Sequence, residues 1–246
     1  MQKLISYVLT PLYLICFGLT LVIFHPVQWF CLNLLGYKAH KRSVEWLQFF
    51  IMRSLNVLGT RFSFENNFII ENNQPIIIVA NHQSMYDIPP LIWYMRKYHP
   101  KFISKVELGK GIPSVSFNLR HGGSVLIDRK KPQQAVTAIK NFATYIETTK
   151  RAAVIFPEGT RSRTGAPKPF QKKGLLTLFE NIPSATVVPI TINNSWKTLR
   201  FGKFPMGLGA HIKFKVHQPK KLSNFSNHEE LVTIIETEIT SAITNE

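Results

Sequence analysis

At 246 residues the chain accommodates one sizeable α/β domain with a short appendage and excludes two full domains. Its 30 Lys+Arg against 14 Asp+Glu give a formal charge of +16, which favours an anionic partner: nucleic acid, an anionic membrane surface or a phosphorylated substrate. Both cysteines, Cys16 and Cys31, fall in an apolar N-terminal stretch, which excludes a disulfide framework and a zinc site and fits a reducing compartment or lipid.

Between Met1 and Tyr37 the only formally charged side chain is Lys3. The run Leu4 to Phe24 reaches the ~20 apolar residues that a bilayer crossing requires, although Ser6 and Pro11 interrupt it. His25-Pro26 predicts a break, after which Trp29, Phe30, Leu32, Leu34 and Leu35 open a second apolar stretch. Lys38, His40, Lys41 and Arg42 follow, and then an amphipathic segment with Trp46, Leu47, Phe49, Phe50, Ile51, Met52 and Leu55. No small-residue cleavage site follows the apolar region, against a signal peptide. One spanning helix, or two helices dipping into one leaflet, both fit, and the bland alternative is a buried helix of a soluble domain. The expectation is a membrane-associated helical segment over 1–58 and an α/β domain over 59–246.

From residue 60 onward short apolar runs alternate with helical periods. Strands are expected at Ile76–Val79, Lys101–Ile103, Val125–Ile127, Ala153–Phe156, Val187–Ile192 and Ile212–Val216. Pro132 to Lys150 reads as a helix with Pro132 at its first position and Ala135, Val136, Ile139, Phe142, Ala143 and Ile146 on one face. A shorter helix spans 174–181. Ser226-Asn-His-Glu229 has the pattern of a capping box before a last helix with Leu231, Ile234, Ile235, Ile239 and Ile243 inward. This alternation predicts an α/β fold, a largely parallel sheet flanked by helices, behind the N-terminal apolar anchor.

Four short blocks carry chemistry. Asn81-His-Gln-Ser-Met-Tyr-Asp87 places a histidine and an aspartate five apart directly after the first apolar strand. Positions five apart on a helix lie about 140° from each other. His82 is therefore expected in the strand-to-helix turn and Asp87 in the first helical turn, capped by Ser84 or Asp87. There the carboxylate fixes one ring nitrogen and leaves the other to accept a proton. The plainer reading is a polar turn residue beside an N-cap. Gly123-Ser-Val-Leu-Ile-Asp128-Arg129 ends another strand, with a surface pair as its plain reading. Phe156-Pro-Glu-Gly-Thr-Arg-Ser162 ends a third. Its glycine permits close approach of a ligand, and its guanidinium suits bidentate phosphate contact, a solvated turn being the alternative. With Val187-Val-Pro189-Ile190 and with Lys105, the strand ends present His82, Lys105, Arg129 and Arg161 as a basic cluster around one titratable base.

In this order and at these spacings the blocks, over residues 75–195, resemble the glycerolipid acyltransferase family, and most the 1-acyl-sn-glycerol-3-phosphate (lysophosphatidate) acyltransferases. Lys105-Val-Glu107-Leu108 and Ile112-Pro113 resemble the family as well. The resemblance implies His82 as general base and Asp87 as its orienter. It implies that Arg129, Glu158, Gly159, Thr160 and Arg161 hold a glycerol phosphate, with Lys105 adding charge, and that Pro189 shapes the acyl-donor side. It implies acyl transfer from acyl-CoA or acyl-carrier protein to the sn-2 hydroxyl of lysophosphatidate, giving phosphatidate at the cytoplasmic face of a membrane (the inner membrane in a bacterium). Neither a metal nor a resident cofactor is expected. Ser84 is the alternative nucleophile, but a covalent acyl-enzyme leaves the phosphate-binding blocks without a purpose.

The chain departs from the family pattern at Ser114 to Arg120, in Phe170-Gln-Lys172-Lys-Gly174, which is one residue longer than usual, and over 195–210. These departures bear on acceptor and chain-length specificity. Three rivals are transfer to another acceptor, a lyso-aminolipid or second lysophospholipid, a non-catalytic membrane protein that keeps the fold as a scaffold, and a basic nucleic-acid binder. Against the last, no Arg/Lys run is interleaved with stacking aromatics, and no helix-turn-helix or zinc spacing is present.

Overall fold

Alternate residues of the central strand Ile76–Ala80 point into two separate apolar clusters, which identifies a sheet covered on both faces. The computed structural model describes residues 2–128 and 130–244. The strands are β1 (Arg61–Glu65), β2 (Ile76–Ala80), β3 (Pro100–Lys105), β4 (Val125–Ile127), β5 (Ala152–Ile155), β6 (Thr186–Asn193), β7 (His211–Val216) and β8 (Lys220–Lys221). Their order is β1-β7-β6-β2-β5-β3-β4, with β8 beside β6. All neighbouring pairs run parallel except β6 with β7 and β6 with β8.

The helices are α1 (Gln2–Leu34), α2 (Tyr37–Leu55), α3 (Ile88–Tyr94), α4 (Val115–His121), α5 (Pro132–Thr149), α6 (Lys172–Asn181) and α7 (His228–Ser241). Ile76, Ile78 and Ala80 pack with Leu55 of α2, Leu91 and Ile92 of α3 and Tyr13 of α1. Ile77 and Val79 face Ile139 and Phe142 of α5, Leu175 and Leu178 of α6 and Leu231 and Ile235 of α7. The largely parallel, helix-flanked sheet agrees with the alternation of the sequence. Two expectations in α7 are corrected. Asn227, not Ser226, caps the helix, its side chain accepting from Glu229 N and Glu230 N, and Val232 is buried whereas Ile234 faces solvent.

The expected break at His25-Pro26 is also corrected. α1 continues through both Pro11 and Pro26 to Leu34, and the chain reverses at Gly36, whose φ of 81° is a backbone state open to glycine. Pro26 removes one ladder bond, and the helix runs on past it. α1 is long and apolar enough to cross a membrane, and it exposes Leu4, Val8, Leu12, Ile15, Leu19, Val22, Ile23, Trp29, Phe30 and Leu34. Its other side docks on the α/β layer. Tyr13 Oη donates to Tyr86 Oη at 2.7 Å, Met206 N to Thr10 Oγ1 at 3.0 Å, and Ser114 N to His25 Nδ1 at 3.1 Å.

Candidate active site

Strand order decides which chain segments meet. β2, β5 and β3 are adjacent and parallel, so the loops leaving their C-terminal ends converge at one edge, where α/β sheets generally receive ligands. β2 delivers residues 81–87, β5 delivers 156–163, and β3 ends at Lys105. His82, Lys105, Gly159, Thr160 and Arg161 all line one cleft of about 770 Å³. Arg129 lies outside the described residues.

The first loop is held from several sides. Asn81 is buried and exchanges hydrogen bonds with Ile192 of β6, Nδ2 to O at 2.8 Å and Oδ1 from N at 2.6 Å. The His82 amide donates to Glu158 Oε1 at 2.7 Å, and its carbonyl accepts from Ser162 N at 2.7 Å. The backbone of His82 is thus fixed to the third block on both sides. Ser84 N-caps the short 3-10 turn Met85–Asp87 that leads into α3, and Asp87 completes a capping box. Pro89 and Pro90 fall in the first turn of α3, where their missing N–H groups cost nothing.

Asp87 is fully buried, and its Oδ2 accepts from Gln83 N at 2.7 Å and Ser84 N at 2.9 Å. The same oxygen lies 2.7 Å from His82 Nδ1. An oxygen already receiving two N–H groups acts as acceptor toward the ring. Nδ1 therefore carries the hydrogen, and Nε2 presents its lone pair. Nε2 accepts from Arg161 Nε at 3.3 Å, and the ring stacks on Phe156 at 4.1 Å and 15°. Phe156 thus fixes the plane and Asp87 the tautomer.

Glu158 is 4% exposed, and burial pushes its carboxyl up to about 7 against its hydrogen bonds from His82 N and Lys168 N. One oxygen takes each amide, Lys168 N at 3.1 Å. The carboxyl does not line the cleft; it brackets the two loops together. Gly159 turns the chain at φ 68°, a conformation a side chain would strain. Pro189 is buried within β6, opposite Val79, and lines neither this cleft nor the cavity beside it. Its missing N–H falls where β6 passes from β8, paired at Thr186 and Val187, to β7, paired from Ile190. Ser84 is equally withdrawn: it is buried, accepts from Tyr86 N at 3.0 Å and lies 2.6 Å from Ser195 Oγ.

Arg163, Trp196 and Lys203 also line the cleft and escaped the sequence reading. Arg163 follows Arg161 by two residues and was legible as part of the same run. Trp196 and Lys203 come from the 195–210 segment, which carries no motif. A second, apolar cavity of about 330 Å³ lies between α2, α3, α4 and β3 and shares Ile88, Phe102, Ser104, Leu108 and Arg161 with the cleft.

A family model described as acyltransferase matches residues 61–193, more than half of the chain. The chain belongs to the acyltransferase family. The chain is 33% identical over 150 residues to a chloroplastic 1-acyl-sn-glycerol-3-phosphate acyltransferase of Brassica napus, covering 60% of this chain and 41% of that protein. A Helicobacter pylori protein of the same activity name is 37% identical over 125 residues, 49% of each chain. The chain spans about half the length of the curated relatives it matches. The crystal structure of the 1-acyl-sn-glycerophosphate acyltransferase PlsC from Thermotoga maritima superposes with a TM-score of 0.77 at 26% identity, covering 98% of this chain and 95% of that one.

Proposed function

We propose that this acyltransferase moves a fatty acyl group from a thioester, acyl-CoA or acyl-carrier protein, to the sn-2 hydroxyl of 1-acyl-sn-glycerol-3-phosphate, giving phosphatidate. The observation that carries the reading is an oriented His82–Asp87 pair on a cation-lined cleft beside an apolar cavity. His82 Nε2 accepts the hydroxyl proton as the oxygen attacks the thioester carbonyl. The tetrahedral intermediate collapses with cleavage of the carbon–sulfur bond, and the imidazolium returns its proton to the departing sulfur. Lys105 and Arg161, with Arg163 and Lys203 on the rim, neutralise the acceptor phosphate, and the apolar cavity takes an acyl chain. Arg161 Nε donates to His82 Nε2, so a phosphate that draws the guanidinium away uncovers the base. Glu158 and Phe156 act through His82 as positioning residues.

The N-terminal helix pair, by this reading, holds the site at a membrane surface where the lysolipid resides. The exposed apolar side of α1 and the basic balance of the chain support it. Transfer of labelled acyl groups by the purified chain in detergent tests the acceptor. The reading expects lysophosphatidate to be acylated at least 10-fold faster than monoacylglycerol, which lacks the phosphate. Equal rates on both would remove the cations from acceptor binding, and transfer to a lyso-aminolipid alone would replace the acceptor.

A further inference from the structure

The apolar cavity beside the cleft is not apolar throughout. β3 runs from Pro100 to Lys105, and Lys105 marks the cleft end. The other end of the cavity, five residues or ~16 Å along the strand, is walled by Tyr37 and His40 of α2, His99, and Lys101. Arg151, just before β5, joins them there: its guanidinium lies 4.5 Å from the centre of the Tyr37 ring. Lys101 Nζ is 5.3 Å from that ring, and the His99 ring is stacked on it at 6.5 Å.

Three features of this group are out of keeping with a closed apolar core. Lys101 is only 8% exposed, yet among the described residues neither it nor Arg151 has a carboxylate within ion-pair distance, since nearby Glu45 pairs with Lys41. Buried positive charge without a counter-charge is costly. Three polar atoms also lack a hydrogen-bond partner, both ring nitrogens of His40 and Nδ1 of His99, while Tyr37 Oη has only the cations Lys101 and Arg151 beside it. His40 is 1% exposed and lines the cavity. Finally, α2 begins at Tyr37 with no acidic residue in its first turn and no side-chain cap, leaving the positive end of its dipole uncompensated.

We propose that Tyr37, His40, His99, Lys101 and Arg151 form a second anion site at the foot of β3, separate from the catalytic cleft, which takes a phosphate oxyanion, free or carried on a lipid headgroup. An oxyanion supplies acceptors for Lys101, for the Arg151 fork and for imidazole and phenol N–H and O–H groups at once. The electrostatics show how strongly these groups act on one another. Burial, then the charges of Lys101 and His121, hold His40 down to about 4. Burial and the cations Lys41, Lys101 and Arg151 do the same to His99. Burial raises the Tyr37 hydroxyl, but Lys101 and Arg151 outweigh it and bring it below its usual value. The site adjoins the α1–α2 turn, where exposed Leu34 and Leu35 stand next to exposed Lys38 and Arg42. That pairing of apolar and cationic surface suits an anionic lipid.

The test is thermal unfolding of the full chain in neutral detergent, with inorganic phosphate against chloride at matched ionic strength, and with phosphatidate in the micelles against phosphatidylcholine. At an anion concentration 100-fold above its dissociation constant the midpoint rises by about 5–10 °C. The rise disappears in Lys101→Met and in His40→Leu and persists in the doubly substituted Lys105→Ala, Arg161→Ala chain. A rise with inorganic phosphate identifies a free-anion site, and a rise with phosphatidate alone identifies a headgroup site. The proposal is overturned by no rise with either ligand, or by an equal rise in Lys101→Met. It is equally overturned if the rise vanishes only in the Lys105, Arg161 variant, which assigns the anion to the cleft. None of these readings uses acyl transfer, so they stand apart from the fate of the proposed reaction.

Discussion

Oδ2 of Asp87 accepts from two backbone N–H groups and faces the His82 ring, so one carboxylate both builds the turn and sets the tautomer. Ser84 shares that turn, and its hydroxyl is committed to capping and to Ser195. Ser84→Ala is expected to cost about 1 kcal/mol of stability, the usual loss of an N-cap, while transfer continues within a few-fold of wild type. Urea unfolding beside the transfer assay checks both, and a loss of transfer by orders of magnitude would reinstate a serine nucleophile. His82, Asp87, Lys105 and Arg161 could be grouped from sequence because each lies at the C-terminal end of a plain strand or within seven residues after it. Glu158 was readable as a site residue, but not as a bracket, because its partners are the amides of His82 and Lys168, 76 and 10 residues away. Backbone partners at that range leave no trace in side-chain pattern.

At the level of elements, the strands that announced themselves are the buried ones. β2, β5 and β6 are buried along their whole length; β2 and β5 read as unbroken apolar runs, and β6 as one interrupted by Thr191. β1, an edge strand with charged Arg61 and Glu65 at its ends, and the two-residue β8 offered no such run. The turn at Gly36 was misplaced to Pro26 because proline is the stronger breaker on paper, whereas an apolar helix docked along α2 tolerates it. Trp196 and Lys203 reach the cleft from a segment whose fold is tertiary, not periodic. What ties that side of the sheet to the base is Asn81, which closes the gap between the ends of β2 and β6. Asn81→Ala strands two buried backbone groups of Ile192 and is expected to lower stability by on the order of 2–4 kcal/mol. Chemical unfolding measures it, and a change below about 0.5 kcal/mol, the size of an ordinary surface substitution, would mean the pair is not structural.

Over the whole molecule, an apolar helix docked beside a cation-rich sheet edge joins two surfaces of different salt dependence. If α1 anchors the chain through its exposed apolar side, flotation with phosphatidylglycerol vesicles persists in 1 M salt, where the Debye length falls to ~3 Å. Release at that salt would assign attachment to charge alone. On the proposed function, membrane attachment and the cleft serve one reaction, an acyl group passed to a lipid hydroxyl whose proton His82 removes. The measurement that bears on this most directly is single-enzyme transfer from labelled acyl-CoA to lysophosphatidate by wild type and His82→Ala, both verified as folded. The account predicts phosphatidate from wild type and a rate lower by about 10²–10⁴ in the variant, the usual worth of a general base. Equal rates in the two proteins would contradict it.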